Sequence, residues 1–210
     1  MNIPKFPVVI IAPARSGSTS LVYNLGRMYN LTVWCEPDRD PEVLDDFFKF
    51  IKTSDQWILK ILTDSMYQAY PKQFLNKVFS GKYYTIKLTR NNLEEQMASH
   101  YIATKRQQWV YSRNLNCDVD DQVLDIDYNT IVTSIGGVLE DNRIIDTLTT
   151  DVTLVYEEIL PFLNESVEFW KTPQPANYNK IIEAIENVKK NSSYGIARVW
   201  KNYTSQRASR

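Results

Sequence analysis

Cysteine, histidine and glycine are all scarce in this chain, and neither sign of charge dominates it. Its 210 residues include two cysteines, one histidine and six glycines, with a formal net charge of −1. Because Cys35 and Cys117 show no metal-type spacing and cannot build a disulfide scaffold, we expect free thiols in a reducing compartment. The balanced charge gives no indication of a basic surface, so we predict neither a nucleic-acid partner nor a membrane partner.

Long hydrophobic runs are missing as well. The first aliphatic run covers only residues 8–11, and Pro13 follows it closely. Such a run is too short for a signal peptide or a membrane anchor, so the sequence predicts a cytoplasmic protein. What is present is an ordinary globular composition, with 43% hydrophobic and 23% charged residues. A chain of this size can bury one sizeable core, and we predict a single domain over residues 1–210.

The segment 12–20 carries the most chemical information. It follows the aliphatic run and precedes an apolar helical pattern, which predicts a buried strand, a tight turn and a helix N-terminus. Backbone N–H groups and the positive end of the helix dipole make such a turn an anion site. Arg15 adds a guanidinium, so phosphate or sulfate is the natural ligand. Four hydroxyl side chains add further donors: Ser16, Ser18, Thr19 and Ser20.

Strand-like and helix-like patterns alternate along the whole chain. The predicted strands cover residues 8–11, 31–35, 57–62, 83–88 and 151–156. The longer helical patterns cover residues 18–29, 41–51, 65–79 with an interruption near Pro71, 93–110, 128–148, 178–190 and 195–203. This alternation predicts an α/β fold, a three-layer sandwich with a mainly parallel central sheet of about five strands and a phosphate-binding strand-loop-helix. We expect ligands at the carboxyl ends of the strands, where Arg15, Glu36, Arg90 and the residues after Lys60 fall.

The first loop differs from the loop that binds nucleoside triphosphates. The pattern G-x-x-x-x-G-K-[ST] needs a lysine after its last glycine, and here Ser18 follows Gly17. No later strand ends in a convincing magnesium-binding aspartate. Both observations disfavour a kinase or an NTPase, and we predict no metal site.

Four stretches together resemble the PAPS-dependent sulfotransferase family, whose donor is 3′-phosphoadenosine 5′-phosphosulfate. Residues 13–19, PARSGST, resemble the family's 5′-phosphosulfate loop. Residues 86–90, IKLTR, followed by Ser99 on the next helix, resemble its 3′-phosphate motif. Residues 155–160, VYEEIL, are similar to the family's Tyr-Glu-Asp-Leu segment, and residues 195–204, GIARVWKNYT, to its C-terminal Gly-x-x-Gly-x-Trp-Lys stretch. The four stretches span nearly the full chain.

The resemblance implies a P-loop-like fold that holds the donor at two separate phosphates. It gives cofactor-binding roles to Arg15, Ser16, Gly17, Ser18, Thr19, Ser20, Arg90 and Ser99. The residues themselves agree with this assignment, because two anion groups need two sites and the sequence offers two Arg-plus-hydroxyl clusters at strand-to-helix junctions. Such binding needs no metal, and the desulfated product would be PAP.

The candidate catalytic residues are Glu36, Arg15 and Lys60. Glu36 follows the second strand, close to the loop by topology, and some carbohydrate and tyrosyl sulfotransferases similarly place a glutamate base there. Lys60 lies where the family often has a strand-end lysine near the transferred group. Asp64 is a second-choice base, whereas His100 lies far along the chain from the histidine that many family members use.

Each of these roles has a simpler alternative. Glu36 could be a surface carboxylate before a proline turn, and Lys60 could extend along a half-buried strand to reach solvent. Arg90 could pair with Glu94 or Glu95 on the following helix.

The sequence as a whole predicts an enzyme that transfers a sulfuryl group from PAPS to a hydroxyl, or an amine, of a small molecule, saccharide or peptide. Two alternatives remain open at this point. One is a small-molecule or nucleoside kinase with a degenerate phosphate loop, and the other is a non-catalytic nucleotide-binding protein. The identity of the acceptor and the oligomeric state do not follow from the residues.

Overall fold

The computed structural model describes residues 6–107, 123–164 and 174–191. Its strands are β1 (Val8–Ala12), β2 (Thr32–Cys35), β3 (Trp57–Leu62), β4 (Tyr84–Thr89) and β5 (Val152–Val155). Its helices are α1 (Ser18–Met28), α2 (Pro41–Phe50), α3 (Met66–Ala69), α4 (Lys72–Phe79), α5 (Leu93–Arg106), α6 (Tyr128–Thr147), α7 (Tyr156–Asn164) and α8 (Tyr178–Lys190). A short 3₁₀ helix, Pro37–Arg39, follows β2. The predictions for Cys117 and for the stretch 195–204 lie outside the described residues.

The five strands form one sheet in the order β2-β3-β1-β4-β5, and every pairing is parallel. Ile10 at the middle of β1 lies opposite Lys60 of β3 and Ile86 of β4. The α/β fold with a parallel central sheet is therefore confirmed. β2 and β3 lie on one side of β1 and β4 on the other, so the winding of the chain changes direction at β1. Ligands of open α/β sheets bind at the carboxyl ends of the strands beside such a point.

β1 is buried at every position because helices cover both faces of the sheet. Its five residues, VVIIA, carry no polar side chain, as a doubly covered parallel strand requires. Val9 and Ile11 pack with residues of α2 and α4, including Phe47. Val8 and Ile10 pack on the opposite face with α1 and α7. These three layers hold the end of β1 rigidly between two cores.

Local signals set the limits of the helices beside this sheet. Pro41 opens α2, and the Asp40 carboxylate accepts a hydrogen bond from the Glu42 amide at 2.9 Å. Asp40 is thus the N-cap of α2, and Pro41 occupies the first helical position, where its missing N–H costs no hydrogen bond. Pro71 separates α3 from α4, because a proline inside a helix removes a backbone donor.

The described chain divides into two compact units. The first contains residues 6–91 and 144–164 and therefore the whole sheet. The second contains residues 92–107, 123–143 and 174–191, where α5, most of α6 and α8 enclose a core of their own. The prediction of a single domain stays a prediction. Among the described residues, no helix has the length and apolar character needed to cross a membrane.

Candidate anion-binding site

The loop between β1 and α1 contains two residues with left-handed backbone geometry. Arg15 has φ 60° and Gly17 has φ 84°, and Gly17 is the N-cap of α1. Within the described residues no side chain caps this helix. The first amides of a helix have no partner inside the helix, so those of α1 are available to a ligand. The predicted anion loop therefore has the backbone that an anion site requires.

Position 17 requires a glycine for two reasons, its positive φ and the close approach of a neighbouring ring. A Cβ at this position would lie 2.3 Å from Cε2 of Tyr156, the first residue of α7. The ring of Tyr156 therefore packs directly on the loop backbone. Any larger residue would have to adopt a positive φ and also displace the ring.

Two buried hydroxyl groups near the end of β1 lack hydrogen-bond partners among the described residues. Ser16 in the loop is fully buried, and Thr63 is 1% exposed. The amide of Thr63 donates to the carbonyl of Ala12 at 3.1 Å, which fixes Thr63 beside the last residue of β1. Buried polar groups are nearly always paired, so both positions have unused bonding capacity. The sequence does not predict Thr63 as a site residue, because only the structure shows that its hydroxyl is buried without a hydrogen-bond partner among the described residues.

Lys60 extends a buried ammonium toward the loop. Its Nζ donates to Oγ1 of Thr19 at 2.7 Å and to the carboxylate of Glu36. The Lys60 residue is 3% exposed, so its head does not extend along the strand to solvent. Lys60 of β3 therefore adds a second positive charge to that of Arg15, in a loop whose own sequence has no lysine.

Glu36 lies between two cations at the end of β2. It accepts from Lys60, and its Oε2 accepts from Nε of Arg39 at 3.3 Å. Burial alone would raise the pKa of Glu36, but the Lys60 ammonium and the Arg39 guanidinium outweigh burial and hold the pKa below its ordinary value. The side chain is 21% exposed, so Glu36 is no ordinary surface carboxylate. In this state it is ionised and a weak base.

Two further carboxylates, Asp64 and Asp38, lie near the Glu36–Lys60 ion pair. Asp64 accepts from Nη2 of Arg39 at 3.1 Å, so Arg39 bridges the first-choice and second-choice bases. Asp38 accepts from Ser65 at 2.6 Å and from the Tyr70 hydroxyl at 2.9 Å. Burial and the Asp38 carboxylate both raise the pKa of Tyr70 well above its ordinary value. Asp38 thus joins the 3₁₀ helix to α3.

Arg90 lies at the end of β4 and contacts the loop from the other side. It is 9% exposed, and its Nη1 donates to the carbonyl of Arg15 at 3.1 Å. The guanidinium lies 4.8 Å from the ring centroid of Tyr156, and its Nε lies 3.8 Å from Oε1 of Glu157. The other oxygen of Glu157 accepts from the amide of Asn91 at 3.0 Å.

The remaining predicted residue, Ser99, belongs to α5 and to the second unit. Its joint role with Arg90 stays a prediction. His100, next to it, has Nδ1 3.2 Å from Oγ of Ser134 within the same unit.

The first unit brings the other predicted site residues together at the carboxyl ends of the strands. They are Arg15, the loop hydroxyls, Glu36, Lys60 and Arg90.

The described residues contain no group of three or more histidine, cysteine, aspartate or glutamate side chains arranged to hold a metal ion. Cys35, at the end of β2, is a free thiol, and burial raises its pKa.

No family model and no curated protein matches the chain. Among solved structures, it is similar to a sulfotransferase from Alicyclobacillus acidocaldarius, with 12% sequence identity and a TM-score of 0.40. The similarity covers 91% of this chain and 99% of that chain. A likeness at this level carries no weight for activity, so the function has to be inferred from the residues of the site.

Proposed function

We propose that the chain is a sulfotransferase that moves a sulfuryl group from PAPS to a hydroxyl, or an amine, of a small molecule, saccharide or peptide. The observation that carries this proposal is the loop after β1. It combines left-handed geometry at Arg15 and Gly17 with a buried lysine that reaches the Thr19 hydroxyl. A loop of this kind directs N–H dipoles and positive charge at one anion.

The described residues fit the donor that the sequence suggests. The hydroxyl of Ser16 is buried and has no partner among them, so an oxygen of a bound anion would satisfy it. Arg15 and residues 16–20 would hold the 5′-phosphosulfate. Arg90 would hold the 3′-phosphate, and each charge-assisted contact contributes about 1.5–3 kcal/mol. The role of Ser99, which belongs to the second unit, stays a prediction.

The reaction forms a bond between the acceptor oxygen and sulfur, and it breaks the bond between sulfur and the oxygen that leaves on PAP. Glu36 takes the proton of the acceptor. In the absence of the donor, Lys60 and Arg39 hold the pKa of Glu36 low. Lys60 also contacts the Thr19 hydroxyl of the loop, so an anion held there would compete with Glu36 for the ammonium and would weaken its lowering of the pKa of Glu36. Lys60 and Arg15 then stabilise the charge on the leaving phosphate.

The test is turnover of labelled PAPS against a panel of hydroxyl and amine acceptors, with Glu36→Gln beside the wild type. Loss of a general base lowers kcat by about 10²–10⁴-fold, and we expect the variant to keep its affinity for PAP. Asp46→Asn is the matched control, because Asp46 forms an exposed ion pair with Lys49 on α2. Wild-type turnover by Glu36→Gln would move the base to Asp64 or elsewhere.

A further inference from the structure

The ring of Tyr156 contacts both the anion loop and the strand-end arginine. It packs against Gly17, where a Cβ would be only 2.3 Å from its Cε2. The guanidinium of Arg90 lies 4.8 Å from the centroid of the same ring. Both contacts fall within the first unit. One side chain thus contacts the loop glycine and the strand-end arginine together.

Arg90 also contacts Arg15, the loop residue with an unusual backbone conformation. Its Nη1 donates to the carbonyl of Arg15, a non-glycine residue with φ 60°. A left-handed residue of this type persists only where its surroundings hold it. The contacts at this part of the loop include the Arg90 hydrogen bond to Arg15 and the packing of the aromatic ring on Gly17.

We propose that Tyr156 is a positioning residue for the anion loop, which it holds in its left-handed form both directly at Gly17 and through Arg90 at Arg15. Glu157 supports the same arrangement, since one carboxylate oxygen lies near Arg90 and the other accepts from the Asn91 amide. The ring itself contacts no reacting atom in this scheme. The proposal rests on the proposed function only for the identity of the anion.

The structure provides a readout of loop order that needs no ligand. The amide of Leu21 donates to the carbonyl of Gly17 at 3.2 Å, which is the first backbone bond of α1. The amide of Tyr29 donates to the carbonyl of Leu25 at 3.0 Å, at the far end of the same helix. A loop that loses its support should release the first amide and leave the second protected.

The experiment compares Tyr156→Met, which keeps apolar volume but loses the ring, with Tyr156→Phe, which keeps the ring. In Tyr156→Met we expect the Leu21 amide to exchange about tenfold faster relative to the Tyr29 amide, since loss of a desolvated ring-guanidinium contact has this order of effect. In Tyr156→Phe the ratio should stay at its wild-type value. Tyr84→Met is the matched control, because Tyr84 packs on the same core from the start of β4.

Binding of PAP is the second readout. Tyr156→Met should raise the Kd for PAP, and the KM for PAPS, about tenfold, with kcat much less affected because the ring does not touch reacting atoms. The proposal would be overturned if Tyr156→Met left the ratio of the Leu21 and Tyr29 amide exchange rates unchanged. It would also be overturned if Tyr84→Met changed this ratio as much as Tyr156→Met does. If Tyr156→Met does not fold, Arg90→Met carries the exchange test, since it removes the bond to the Arg15 carbonyl and leaves the ring. A wild type that does not bind PAP would contradict the proposed function alone, and the exchange ratio would still decide the role of Tyr156.

Discussion

The buried ion pair between Lys60 and Glu36 allows a stability prediction that depends on no ligand. The Lys60 side chain is 4% exposed and that of Glu36 is 21% exposed. Removing one partner of a buried pair leaves an uncompensated charge and costs about 3–5 kcal/mol. Because Glu36 is partly exposed and Lys60 keeps its bond to Thr19, we expect Glu36→Gln to lower the free energy of unfolding by about 2–3 kcal/mol.

The opposite substitution should cost less. In Lys60→Met the Glu36 carboxylate keeps Arg39 as a partner and can turn toward solvent, so we expect a loss of about 1 kcal/mol. In the double variant no buried charge is left unpaired, and replacement of a buried pair by neutral groups is often close to neutral. The two losses should therefore not add, and the coupling energy between the two sites should approach the sum of the two single losses, about 3–4 kcal/mol.

Urea denaturation of the four proteins measures this coupling. The exposed pair between Asp46 and Lys49 is the control, and Asp46→Asn should leave the urea midpoint unchanged. A Glu36→Gln protein as stable as the Asp46→Asn protein would refute the account of Lys60 as a buried charge that depends on Glu36. Additive losses in the double variant would refute it equally.

Two further predictions concern the same loop and pair. Gly17 and Gly81 both have a positive φ, but a Cβ on Gly81 meets nothing within 4 Å. Gly81→Ala should therefore lower the free energy of unfolding by about 1–2 kcal/mol through backbone strain alone. Gly17→Ala should lower it distinctly more, because the added Cβ also meets the Tyr156 ring. Equal urea midpoints for the two variants would contradict this. The pKa of Glu36 is lower in the folded protein than in the unfolded chain, where it is about 4.3. The Glu36 carboxylate therefore stabilises the fold fully above the unfolded pKa, and this contribution is lost as pH falls through the folded pKa. The stability difference between wild type and Glu36→Gln should accordingly shrink below about pH 4 in a urea series across pH, and a pH-independent difference would contradict the assignment.

The sequence predicts the elements of this fold well because their signals are local. The aliphatic residues 57–62 and the amphipathic residues 178–190 form β3 and α8 with those bounds. Asp40 before Pro41 marks the start of α2, and Pro71 marks a break, through backbone chemistry that needs no tertiary partner. Two adjacent glycines, 136 and 137, do not interrupt α6, although glycine is a poor helix former, and the apolar face of this helix is buried in the core of the second unit.

The contacts of the site were less predictable because they join distant parts of the chain. Glu36 and Lys60 are 24 residues apart, and nothing local indicates that they pair. Arg90 was assigned to a phosphate, and its bond to the Arg15 carbonyl follows only from the packing of β4 beside β1. The sequence indicates for the segment 155–160 only a similarity to a family segment, whereas in the structure its tyrosine lies against the loop glycine.

The short 3₁₀ helix after β2 could have been found from its proline. Pro37 lies at its first position, where proline favours the start of a helical turn, and Glu36 before it has φ 53°. This geometry turns the Glu36 side chain back toward Lys60. In the sequence, Pro37 by itself indicates only a turn.

We propose that the loop between β1 and α1, together with Arg90, binds a nucleotide with separate 5′ and 3′ phosphates. Unfolding of the wild type with PAP, or with ATP and magnesium, each at matched concentration, tests this binding. A ligand at about 100 times its Kd stabilises the fold by about 2.7 kcal/mol. We predict stabilisation of this order by PAP and much less by ATP with magnesium. Stabilisation by ATP with magnesium and none by PAP would contradict the assignment and favour the kinase alternative.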